Sequence, residues 1–134
     1  MGNRAVIAFD NANQNSIGIY LQWNGGKDSI EGFLKAAKQL SCGGKQANRA
    51  RLVQAIGNFF NGGYSVYMDL IKNLDCDNYD NGVFIVDTET LEIKGRKFKK
   101  GPEQQVHDSD ELAADIVART NAAYYFDKDE DNIA

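Results

Sequence analysis

Between Leu74 and Val83 the chain gathers Asp75, Asp77 and Asp80 with Asn78 and Asn81, a run of oxygen-bearing side chains. Hard cations such as Ca²⁺ or Mg²⁺ take about six to eight oxygen ligands, so this is the natural place to look for metal-assisted hydrolysis. The register argues against a calcium-binding EF-hand loop. Counted from Asp75, Tyr79 falls at position 5, Asp80 at 6 and Val86 at 12, where that loop wants an oxygen ligand, glycine and glutamate. Asp and Asn also build turns by bonding their own backbone, and the turn reading is favoured over the cation. Three carboxylates this close still repel one another. The segment is therefore the leading candidate for a binding surface, with no metal assigned to it.

Three further groups have chemical potential. Asn24-Gly25-Gly26-Lys27 follows a strand and opens a helix, where free backbone N–H groups can hold a phosphate. It lacks the GxxxxGK[ST] spacing of a phosphate loop, and Asp28 is expected to satisfy those donors itself. Trp23 beside the loop could stack on a ring, although its place in an apolar alternation points to the core. The run Lys94-Gly95-Arg96-Lys97-Phe98-Lys99-Lys100 could touch nucleic acid. On a strand those charges fall on both faces, so a lysine-guarded sheet edge is the better reading. His107, the one histidine, stands apart from Cys42 and Cys76, and no GxSxG elbow occurs, so no catalytic residue is assigned. Asp108 beside it suits the cap of a last helix.

These groups need elements to hold them. Arg4 to Phe9 reads as a strand, and Asp10 to Ser16 as a polar turn. Ile17, Ile19, Leu21 and Trp23 alternate with Gly18, Tyr20 and Gln22, a second strand hairpinned to the first. Asp28 three residues before Glu31 marks a helix start, followed by Ile30, Phe33, Leu34, Ala37 and Leu40 at helical spacing. A second helix is expected from about Asn48, with Leu52, Val53, Ile56, Phe59 and Phe60 inward and Arg49 and Arg51 on the wetter side. Tyr64, Val66, Met68 and Leu70 give a third strand. Val83–Val86 and Leu91–Phe98 give a hairpin around Asp87-Thr88-Glu89-Thr90. Leu112, Ile116, Val117 and Ala123 give a last helix beginning near Asp108. The order is ββααβββα: an α+β fold with a largely antiparallel sheet of about five strands and three helices. One domain is expected over residues 1–126, followed by an acidic, flexible tail over 127–134. Tyr64, Tyr67, Tyr124, Tyr125 and Phe126 either close the core or, if exposed together, make an interface patch.

With 134 residues the chain can bury a core without disulfides or metal. Fifteen Lys+Arg against 19 Asp+Glu give a net charge of −4, which counts against direct nucleic-acid binding. No apolar run approaches the length of a membrane span and no leader is visible, so a cytoplasmic protein is expected, with Cys42 and Cys76 reduced and buried. No cofactor is implied, and a homo-oligomer is compatible with the composition.

The segments Gly2–Ile7, Ile19–Ser29, Ile56–Phe60 and Leu74–Gly82 together resemble a family of small acidic proteins from bacteria and their phages or mobile elements. The likeness covers the chain to about Gln105. It implies an accessory protein that binds a host or phage protein, in its most concrete form an inhibitor of a host defence system. It brings no mechanism, and Gln22 stands where the resemblance leads one to expect histidine. The leading expectation is a non-enzymatic binding protein acting through Asp75, Asp77, Asn78, Asp80 and Asn81, with Trp23, Asn24, Tyr124 and Tyr125. One alternative is a nucleotide-signal binder using the glycine loop, Trp23 and Arg49, Arg51 or Arg96, which requires a pocket lined by arginine and an aromatic ring. The other is a divalent-metal hydrolase using Asp75 to Asp80.

Overall fold

β1 (Ala5–Phe9) is buried along its whole length, which only a central strand covered on both faces can be. The computed structural model describes residues 2–61, 63–103 and 106–133, with side chains as far as residue 122. In it β1 is followed by β2 (Ile17–Leu21), α1 (Lys27–Leu40), α2 (Lys45–Phe59), β3 (Val66–Leu70), a short 3-10 turn (Ile71–Asn73), β4 (Val83–Asp87), β5 (Glu92–Lys97) and α3 (Ser109–Ile133). The sheet order is β3-β2-β1-β4-β5. β1 and β4 run parallel; the other three pairings are antiparallel. This is the expected α+β order with a mixed, mostly antiparallel sheet.

Strand alternation divides the core in two. Ile7, Ile19, Leu21, Phe84 and Val86 face the helices, which return Ile30, Phe33 and Leu34 from α1, Leu52 and Ile56 from α2, and Ile116 from α3. Each large side chain fully buried here contributes about 1.5–3 kcal/mol. The α1 stripe matches its sequence spacing as far as Ala37, and Leu40 lies only partly buried outside this cluster. α1 and α3 approach closely at Gly32, where a Cβ would sit 2.7 Å from the Leu112 side chain. The reverse face of the sheet is covered without a helix: Val6, Ala8 and Val83 pack under Ile71, Leu74 and Cys76 of the β3–β4 connection.

Several expectations are corrected. β2 ends at Leu21, and Asn24 takes a left-handed conformation (φ 57°), so the alternation stops before Trp23, which lies half exposed. Tyr64 is 94% exposed and Tyr67 and Met68 are about half exposed, because β3 is an edge strand. Val53 also faces out, and α2 starts at Lys45. Asn48 is buried, donating from Nδ2 to the Thr88 and Glu89 carbonyls. Cys42 is exposed in the α1–α2 connection and Cys76 half-buried, both as free thiols. Asp108 does cap α3, accepting from the Asp110 and Glu111 amides. Tyr124, Tyr125 and the acidic tail fall where side chains lie outside the described residues.

Candidate functional site

The acidic segment is a turn wired to itself. Asn78 is fully buried: its Oδ1 accepts from the amides of Asp80 and Gly82, and its Nδ2 donates to the carbonyls of Asp75 and Gly82. Asp80 Oδ2 accepts from the Arg4 amide at 3.1 Å and from Arg4 Nε at 2.7 Å. Asn81 Nδ2 donates to Asn3 Oδ1 and to the Arg4 carbonyl. Asn78 shapes the turn while Asp80 and Asn81 bolt the β3–β4 connection to the residues just before β1, and Gly82 (φ 66°) turns the chain into β4 against Lys97 and Phe98. Asp75, Asp77 and Tyr79 face outward; Asp77 pairs with Lys100, whose ammonium also lies over the Tyr79 ring. Among the described residues no three His, Cys, Asp or Glu side chains gather as metal ligands do.

At the glycine loop, an internal carboxylate occupies the start of α1. The Lys27 amide donates to Glu103 Oε2, and Arg96 Nη1 holds Glu103 Oε1 at 2.8 Å. Burial raises the Glu103 pKa, but Arg96 and the Lys27 amide outweigh it and hold the group below the ordinary range. The expected cap, Asp28, instead accepts from the His107 amide. Asn24 Nδ2 reaches Ser29 Oγ at 3.5 Å, and Trp23 projects beside it. The basic run starts on edge strand β5 and continues past its end, and three of its five charges are answered within the chain: Arg96 over the Phe84 ring at 4.0 Å and on Glu103, Lys99 with Glu103, Lys100 with Asp77.

A different constellation forms at the end of β1. Asp10 turns the chain with φ 66°, donates its amide to the Val86 carbonyl, and points its carboxylate at the β4–β5 turn. Asp10 Oδ1 accepts from the Thr88 amide at 2.9 Å; Oδ2 accepts from Thr88 Oγ at 2.7 Å and Arg49 Nη2 at 3.2 Å. Burial pushes the carboxyl up, yet both Thr88 donors, Arg49 and Lys45 together carry it down to about 2. The Arg49 guanidinium also lies near the Phe9 ring. Beside this pair opens a cleft of about 600 Å³, walled by Phe9, Ile17, Ala50, Val53 and Met68, with Asp10 and Arg49 at its polar side.

The cleft therefore offers apolar walls, an acceptor ionised at neutral pH and a half-exposed guanidinium. A carboxyl titrating near 2 is a weak general base at neutral pH. The Thr88 hydroxyl is buried and donates to that carboxylate. Of the predicted site residues, the structure brings Asp75 to Asn81 together as a turn and leaves Trp23 and Asn24 in a separate loop. Asp10, Ile17, Val53, Met68 and Thr88 were missed as site residues. Asp10 at a strand end was the visible signal; its pairing with Thr88, 78 positions away, carried none. Searches of protein families, curated proteins and solved structures find no match for the chain.

Proposed function

We propose that the protein is a non-enzymatic binding protein that receives an apolar side chain of a partner protein in the Phe9–Met68 cleft. The observation that carries this reading is the concentration of exposed apolar residues there. Ile17, Val53 and Met68 are each 37–49% exposed around one concavity, with a single ion pair at its rim. Contiguous exposed apolar surface beside polar rim groups is the physical mark of an interaction site. The resemblance to proteins of bacteria and their phages supplies the setting, a host or phage protein as partner. It supports inhibition of a host defence as one form of that partnership. The test is capture from host lysate with the full chain as bait. A partner retained by the wild type and by Lys97→Glu, but lost with Val53→Asp, supports the cleft. A partner held equally by Val53→Asp, or none at all, overturns it.

One observation favours a second reading, capture of a nucleotide signal. The same cleft joins Arg49 to the Phe9 ring, the combination that reading requires. It is tested by melting the protein with linear and cyclic nucleotides, since a ligand of the native state raises Tm. No shift across the panel rejects it, as does a shift that Arg49→Ala leaves unchanged.

A further inference from the structure

The register of β3 on β2 fixes which backbone groups of this edge strand are in use. The Ile71 amide donates to the Ser16 carbonyl, and the Gln22 amide to that of Ser65. Between them Asp69 lies opposite Gly18 and Tyr67 opposite Tyr20. In an antiparallel pair the hydrogen-bonded partners recur at every second residue. Ser65, Tyr67, Asp69 and Ile71 therefore turn their amides and carbonyls toward β2, and Val66, Met68 and Leu70 turn theirs outward. The outward Leu70 amide is already taken, by the carboxylate of Asp69 at 2.6 Å. The residues with both outward groups open are Val66 and Met68.

We propose that two copies of this chain pair antiparallel through β3, with Val66 opposite Met68, Met68 opposite Val66, and Tyr67 opposite its own counterpart on a two-fold axis. This register uses both open amides and both open carbonyls of each copy and leaves the occupied Leu70 amide out. Setting Met68 opposite itself would place Val66 against Leu70, whose amide has its partner. A two-fold axis normal to the sheet closes the contact and keeps both sets of helices on one face of a continuous sheet.

The side chains suit the same register. On the reverse face Tyr67 stacks on Tyr20, centroids 5.9 Å apart, so pairing extends two stacked rings into a row across both copies. Ser65 falls opposite Asp69, a hydroxyl facing a carboxylate. Val66 meets Met68 on the helix side. Asp69 is the only charged residue from Tyr64 to Ile71, and this register keeps it away from its own copy. A contact built on one short strand is small, so association in the micromolar range is expected. This inference rests on the backbone groups of the strand edge and not on what the cleft binds, although Met68 belongs to both; Val53→Asp, which alters the cleft alone, should leave self-association unchanged.

Sedimentation velocity on the full chain, from low to high micromolar concentration, should show a monomer passing reversibly into a dimer. Amide exchange read by NMR should slow at Val66 and Met68 as concentration rises, by about tenfold, and stay constant at Leu70. Tyr67→Lys sets like charges face to face across the axis, and the dissociation constant should rise by about tenfold. Val66→Pro removes an open donor at the first residue of the strand and should act likewise, with a lowered Tm because Val66 also packs against the core. A chain that stays monomeric overturns the proposal. A dimer that leaves Val66 and Met68 exchanging freely, or that newly protects Leu70, overturns it as well. The exchange measurement uses the wild type alone, so it decides even if a variant fails to fold.

Discussion

At one edge of the sheet, β5 carries Lys94, Arg96 and Lys97, and Arg96 is tied into the body through Glu103, Phe84 and the Asn81 carbonyl. At the other edge, β3 carries one charge and three large side chains about half exposed or more: Tyr67, Met68 and, just before it, Tyr64. Lysine on an edge strand discourages pairing with another chain. An aromatic edge with open amides invites it. The contrast separates an edge with side chains tied into the fold from one whose side chains stand open to solvent. Both lie in one sheet, so stability and association can be varied independently.

Substitutions in the guarded half should cost the most stability. Phe84→Ala removes a fully buried ring that supports Arg96, and should lower the unfolding free energy in urea by about 3–5 kcal/mol. Asp80→Asn weakens the bond between the β3–β4 connection and Arg4, and should cost about 2–3 kcal/mol. A value near zero for either would erase the contrast.

Asp10→Asn lies between the halves and should cost about 1–2 kcal/mol at neutral pH. Asp10 titrates near 2 in the folded protein against an ordinary 3.8, so folding favours its ionised form. That contribution is fully present above the unfolded pKa and is lost as pH falls toward 2. Unfolding free energies of wild type and variant should therefore converge on acidification. A gap that persists unchanged at low pH would assign the loss to packing.

In the open half the effect on stability should be smallest. Val53→Asp should change the unfolding free energy by no more than about 0.5 kcal/mol, and Tyr67→Lys, which gives up the stack on Tyr20, by about 1 kcal/mol. The first should abolish capture by the cleft, and the second should weaken self-association. A large stability loss from either would mean that the exposed residues serve the fold after all.

Local patterns were legible and long-range ones were not. The stripe Ile30, Phe33, Leu34, Ala37 and the alternation Ile17, Ile19, Leu21 report their own elements, because each periodicity is written within one segment. They do not say which strand becomes an edge. Met68 and Trp23 sit in correct alternation, yet lie half exposed because no helix covers one and the strand has ended before the other. The lysine-guarded edge was readable, since its composition is itself the device. The acidic segment was rightly seen as dense, but its inward wiring depends on Arg4 and Asn3, 76 and 78 positions away. Glu103 at the start of α1 was invisible for the same reason: Asp28 was the local candidate, and a distant carboxylate took the place.

The parallel pairing of β1 with β4 also joins distant parts of the chain at the centre of the sheet. Val6 and Val83 are partners separated by 77 positions. Until β4 arrives, the most apolar strand of the chain has a bare side and Ile7 lacks the neighbour Phe84. A loop of that length makes closure slow. Contacts within the β1–β2 hairpin and between α1 and α2 span far fewer residues, so the central seam carries the greater loop-closure cost. Any opening of that seam would bare the edge of β1, which the finished structure keeps wholly buried.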